Sequence, residues 1–281
     1  MKYQHPLQQS LVYLTLLIGC GDRNAFAPLT PPTPAEKAAM FLEKENPDAA
    51  IETILNTLGD TYQALYKAVT TGTNNETQLH TEMEALIADD SIDNVPNLIS
   101  LLSSAQAQKY NVDPFAMVLQ LAKSQTPATT TLVDTTASHS LGSLTQLYPI
   151  LPRPTSDNIK GLQAALFILR SIGGPNSTKS DHLKLGLFLT ANLVLELKLI
   201  DTNEDGSIST EEALQISETA ATSFLSTIEA AVASILSSDL SNSKASSASD
   251  KLTKLQTTLQ TQSGSDNAEK LRSFFAQAQS K

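Results

Sequence analysis

Apolar residues recur at three- and four-residue intervals along most of this 281-residue chain, the spacing that lines one face of an α-helix. The spacing predicts helices in series. Ala35–Glu45 comes first and is closed by Asn46-Pro47, a cap and first-position pair for the next helix. That helix spans Pro47–Leu58, with Ile51, Ile54, Leu55 and Leu58 on one side. Tyr62, Leu65, Tyr66 and Val69 continue the pattern up to a Thr-Gly-Thr-Asn-Asn break at 71–75. Leu79, Met83, Leu86 and Ile87 mark another amphipathic segment, and Pro96–Tyr110 and Pro114–Lys123 are two more.

Residues 124–156 change character. They are rich in Thr and Ser and carry prolines at 127, 149, 152 and 154, which suits a linker or a long crossover loop. Beyond them, Asn158–Ile172 reads as a helix ended by Gly173-Gly174-Pro175. An apolar run from Leu183 to Ile200 follows, with Ser180 and Asp181 as N-cap candidates. A further helix is expected from Thr210 to about Ser237, then a serine-rich break and two short helices, Asp250–Gln260 and Asp266–Gln279. Strand-like alternation is nearly missing. The expected fold class is therefore all-α, a multi-helix bundle or an irregular helical-repeat array, with helical regions 35–123 and 157–281 on either side of 124–156. The Asn-Pro-Asp-Ala-Ala junction at 46–50 faintly resembles a tetratricopeptide boundary, but no period near 34 residues is kept.

The densest chemical signal is residues 201–212, Asp-Thr-Asn-Glu-Asp-Gly-Ser-Ile-Ser-Thr-Glu-Glu. They fill every fixed position of the pattern D-x-[DN]-x-[DN]-G-x5-E. Calcium prefers six to eight oxygens at about 2.3–2.6 Å. Asp201, Asn203 and Asp205 offer side-chain oxygens, the Ser207 carbonyl a backbone oxygen, Ser209 a direct or water-mediated one, and Glu212 two. Gly206 lacks a Cβ and can take the positive φ of the turn. The segment from about Leu193 to Ala220 resembles the EF-hand family, a helix–loop–helix, and the resemblance implies those six residues as ligands of one Ca²⁺. Ile208 matches the apolar position whose backbone pairs with a sister loop in that family. The segment departs from the family at Glu196 and Ser217, polar where apolar side chains usually pack, and no second loop is found. Residues 89–94 are acidic but lack the glycine and closing glutamate, as a solvated turn would.

The amino terminus points to a compartment. Lys2 precedes an apolar core at residues 11–19, too short for a spanning helix of about 20 residues. Leu17-Ile18-Gly19-Cys20 resembles the bacterial lipobox, and Cys20 is the sole cysteine. The resemblance implies a signal peptide at 1–19, lipidation of Cys20, and a location in the bacterial cell envelope. Residues 20–34, with prolines at 28, 31, 32 and 34, would then be a stiff tether between lipid and body.

Charge narrows the partners. Losing residues 1–19 removes Lys2 and no acid, leaving 18 basic against 29 acidic residues, or −11. Nucleic acid is disfavoured, since binding it needs basic side chains to displace counterions. Catalytic signatures are wanting: His5, His80, His139 and His182 are scattered, and there is no nucleophile elbow, zinc-protease pair or phosphate loop. His80 and His182 read as surface residues near helix starts. Glu82 and Glu84, two residues apart, fall on different helix faces. The expectation is a calcium-binding, lipid-anchored helical envelope protein, a non-enzymatic binding or scaffold module whose partner is another envelope protein. The alternative is a helical-repeat accessory subunit of an envelope transport or assembly complex, with a purely structural metal.

Overall fold

A computed structural model describes residues 31–73, 76–89, 91–113, 117, 148–205, 207–238 and 243–279. The signal segment, Cys20, most of the tether, nearly all of Pro114–Lys123 and most of 124–156 lie outside them. Among the described residues the chain is all-α, a multi-helix bundle with no strand. We number the helices α1 (Pro34–Glu43), α2 (Pro47–Leu58), α3 (Asp60–Thr70), α4 (Glu76–Asp89), α5 (Val95–Lys109), α6 (Ser156–Ser171), α7 (Lys179–Ile200), α8 (Thr210–Ala213), α9 (Glu218–Ser237), α10 (Ser243–Gln260) and α11 (Asn267–Gln279). Local chemistry places many of their ends. The Asn46 side chain accepts the Ala49 N–H at 3.3 Å, and Pro47, with no N–H to lose, opens α2. Gly59, at φ 88°, lets α3 follow α2 with no intervening loop.

Helix α5 is buried on almost every side, so its polar positions need partners inside the protein. Ser103 donates to the Ala165 carbonyl of α6 at 2.8 Å, and Gln106 accepts from the Tyr66 hydroxyl of α3 at 2.6 Å. Ser100 donates to Asp181 of α7 at 2.5 Å and accepts from the Lys184 ammonium at 2.6 Å. α5 packs against α2 and α6, and α6 also packs against α3, α4 and α7. Helices from both sides of the Thr/Ser-rich stretch thus share one core, and everything from Pro34 onward forms one compact unit.

Three readings of the sequence change: the cap of α7, the helix expected over 210–237, and the start of α10, which is Ser243 inside the expected serine-rich break instead of Asp250. The cap of α7 is Thr178, which forms a reciprocal pair with Asp181; Ser180 and Asp181 lie inside the first turn. Thr178 wins because its hydroxyl reaches the Asp181 N–H (3.2 Å) while the Asp181 carboxylate returns to the Thr178 N–H (2.9 Å). His80 stays at the surface, as read from sequence, and also reaches α6, its Nδ1 lying 2.6 Å from the Ser171 carbonyl. The helix expected from Thr210 to Ser237 is two helices, α8 and α9, broken at 214–217. Ser217 caps α9, its hydroxyl accepting the Ala220 N–H at 3.2 Å. A polar residue in an apolar stripe was the mark of a new helix start.

α7 and α9 form the most extensive helix pair. Gly186 lets them meet: a Cβ there would collide with the Ile235 side chain. Among the described residues α9 alone is long and apolar enough to cross a membrane by length and composition. In this fold it packs on α7, α10 and α11, burying Ala221, Phe224, Ile228, Ala231, Val232 and Ile235.

Candidate metal centre

The dodecapeptide joins α7 to α8. Asp201 ends α7, its N–H returning to the Leu197 carbonyl at 2.9 Å, and its side chain is buried at 2% exposure. Ser209 starts α8, and its hydroxyl accepts the Glu212 N–H at 3.2 Å. Glu212 answers with one carboxylate oxygen, which takes the Ser209 N–H and hydroxyl, both at 2.8 Å. Its other oxygen reaches across to the opening of the loop. There it accepts the Thr202 N–H (2.7 Å), the Thr202 hydroxyl (2.8 Å) and the Asn203 N–H (3.2 Å). The first and last turns of the loop are thus tied through one carboxylate. Those donors, led by the Ser209 N–H and the Thr202 hydroxyl, hold Glu212 down at about 2.

The middle of the loop is organised the same way. Asp205 donates its N–H to Asn203 Oδ1 (2.9 Å) and to Asp201 Oδ1 (3.2 Å). Asp205 Oδ1 in turn accepts the Ser207 N–H and hydroxyl at 2.8 and 2.7 Å, which lowers the Asp205 pKa. These are short-range turns that use the carboxylates as acceptors. Glu204 adopts φ 59°, the left-handed geometry of the tight bend. Ile208 is 8% exposed and belongs to the core.

Of the six residues singled out, Asp201, Asn203, Asp205, Ser207, Ser209 and Glu212 all lie in this network or at its core edge. Their donor set is oxygen only and carries three carboxylates, which fits a hard divalent cation by chemistry. Among the described residues, however, no three His, Cys, Asp or Glu side chains converge as a ready-made ligand shell. The carboxylates face the loop's own N–H and O–H groups, so presenting them to a cation means exchanging those bonds.

Three residues outside the pattern complete the surroundings. Lys198 of α7 donates to the carbonyls of Tyr148, Leu151 and Pro152 at 3.0, 2.9 and 3.2 Å, using all three ammonium protons. Its nitrogen also lies 5.6 Å from the centre of the Tyr148 ring. Arg153 pairs with Glu204 at the surface. Segment 148–153 is thereby strapped against the loop. Burial, and then the negative fields of Asp201, Glu212 and Asp205, push the Tyr148 phenol above its ordinary value. Its hydroxyl is buried with no hydrogen-bond partner among the described residues. Nothing in the local pattern announced these contacts, because about fifty residues of chain separate Lys198 from the carbonyls it binds. No family model matches this chain, and no curated protein or solved structure matches it with significance.

Proposed function

We propose that this chain is a calcium-binding, lipid-anchored helical protein of the bacterial cell envelope, serving as a non-enzymatic binding or scaffold module for another envelope protein. The observation that carries the calcium reading is the closure of residues 201–212, whose last carboxylate returns to Thr202 and Asn203 at the loop's opening. Asp201, Asn203, Asp205, Ser209 and Glu212 would supply side-chain oxygens and Ser207 its carbonyl. Calcium, when bound, supplies a double positive charge that offsets the three carboxylates. The chain's part is to hold Asp201 and Glu212 at the ends of α7 and the start of α8, so that ligand exchange in the loop bears on the angle between those helices. Lys198 and Arg153 extend that influence to segment 148–153. The lipid anchor rests on Leu17-Ile18-Gly19-Cys20, and acyl chains hold in proportion to their length, at about 0.8 kcal/mol per buried CH₂.

Titration calorimetry of the chain with Ca²⁺ tests the first part. One site is expected, with a rise in Tm, and Glu212→Gln should weaken it at least tenfold. Neither heat nor a thermal shift up to millimolar Ca²⁺ would remove the calcium reading. Fractionation of cells expressing Cys20→Ala tests the anchor, which is refuted if the variant stays with the membranes as the parent does.

A further inference from the structure

A cleft of about 280 Å³ opens between the flanking helices, on residues none of which belong to the dodecapeptide. Leu199 of α7, Ile216 of the 214–217 corner, Phe224 of α9 and Phe275 of α11 line it, and one carboxyl side chain, Glu196 of α7, joins them. Its size is near the lower end of clefts that enclose small molecules, about 300 Å³. It is too small for a folded partner, and its lining is too apolar for a sugar or phosphate.

Glu196 is out of keeping with that lining. One carboxylate oxygen accepts the Asn192 amide at 2.7 Å, and the other takes no protein donor among the described residues. No ion pair reaches it from the α9 wall, which offers Ala220, Ser223 and Phe224, or from Leu271 and Phe275 of α11. Arg272, beside Leu271, turns its Nη2 to the Ile216 carbonyl at 2.7 Å. A partly dried carboxylate with one donor is an unmet demand for a cation. Beside it Leu199 is 52% exposed, a large apolar surface that the fold leaves uncovered. A net charge of −10 raises the local concentration of cations around the whole protein.

From these features together we infer that the cleft binds a small amphiphile with a primary ammonium head and an aliphatic body. Glu196 takes the head, and Leu199, Ile216, Phe224 and Phe275 enclose the body. The ammonium donates to the free Glu196 oxygen in a charge-assisted hydrogen bond, while Asn192 keeps the other oxygen in place. Burial, opposed by the Asn192 bond, pushes Glu196 up to about 7, and an ammonium guest would draw it down again. This inference stands apart from the calcium reading, because it uses none of the six loop residues.

The test is calorimetry of the full chain with three probes of equal chain length, octylamine, 1-octanol and octanoate, at about 0.15 M salt, each below its micelle concentration. Octylamine should bind at one site, at least tenfold tighter than octanol, and octanoate should not bind. Glu196→Gln should reduce octylamine to the affinity of octanol and leave octanol unchanged. That variant removes a poorly solvated charge, so it should fold at least as well as the parent. Ser223→Trp, at an exposed position on the lining, should block both probes. Binding of octanoate as tight as octylamine would assign the site to Arg272 and overturn the inference. Octylamine uptake at many equivalent positions, indifferent to Glu196→Gln, would reduce the effect to attraction by an acidic surface and overturn it as well.

Discussion

Glu196 is the residue whose charge state should most visibly govern stability, and Glu196→Gln is the perturbation that isolates it. Burial, opposed by the Asn192 hydrogen bond, pushes its carboxyl up from an ordinary 4.5 to about 7. Between those values the folded chain holds a proton that the unfolded chain has released. Unfolding therefore becomes easier as pH rises from about 4.5 to about 7, and the ionised side chain is a net cost above that window. At about 1.4 kcal/mol per pH unit the full span would be worth about 3 kcal/mol. Glu196 is only partly buried, and solvent screening reduces this to about 2 kcal/mol. Gln keeps the Asn192 contact and carries no charge. Urea unfolding of both proteins at a series of pH values from about 4 to 8.5 is the assay. The two should coincide at the acid end, and Glu196→Gln should be the more stable by about 2 kcal/mol at the alkaline end. Parallel curves across the range would refute the argument that burial perturbs this carboxyl.

Other variants probe the joints of the fold by the same denaturation measurement. Ser217→Ala should cost about 1 kcal/mol through loss of the α9 cap; a gain would indicate a continuous helix, where alanine is the better residue. Gly186→Ala should destabilise by about 1–3 kcal/mol by forcing α7 away from Ile235, and Ile235→Ala in the same chain should recover part of that loss. Asp181→Ala should cost about 2–4 kcal/mol, since it removes the α7 cap partner, the acceptor of Ser100 and the carboxylate whose charge favours the Lys184 ammonium. An effect below about 0.5 kcal/mol would show that this cluster is solvated.

Much of the helical order was legible because helices are local objects. Asn46-Pro47 starts α2 where the cap chemistry says it should, and the apolar spacing of Ile51, Ile54, Leu55 and Leu58 matches the residues that α2 buries. At the start of α7, the choice lay between neighbouring polar residues. Thr178, Ser180 and Asp181 are all competent caps, and only the reach of one hydroxyl to one N–H separates them. Leu214 to Ala220 keeps a helical rhythm in sequence, yet Ser217 caps a new helix there and Leu214 is 59% exposed. In the loop, the order of oxygen-bearing residues was plain from sequence. The return of Glu212 to Thr202 was not, nor was the strap of Lys198 onto 148–153.

What the sequence determined alone is what short-range rules can carry: an all-α chain, the Asn46-Pro47 start of α2, and a dodecapeptide dense in oxygen donors. Tertiary packing decided which polar residues would be stranded among apolar ones. Glu196 shows in the sequence only as a polar residue at a position where apolar side chains usually pack. It becomes a lone carboxyl on an apolar cleft because α9 and α11 close around it, and its solvation depends on helices that begin more than twenty residues further along the chain. Ser100, Asp181 and Lys184 are likewise unremarkable one by one, and their bonds exist only where α5 meets the start of α7. Desolvation is a property of neighbours in space, and that is why the partners and burial of these groups were not readable from the one-dimensional pattern.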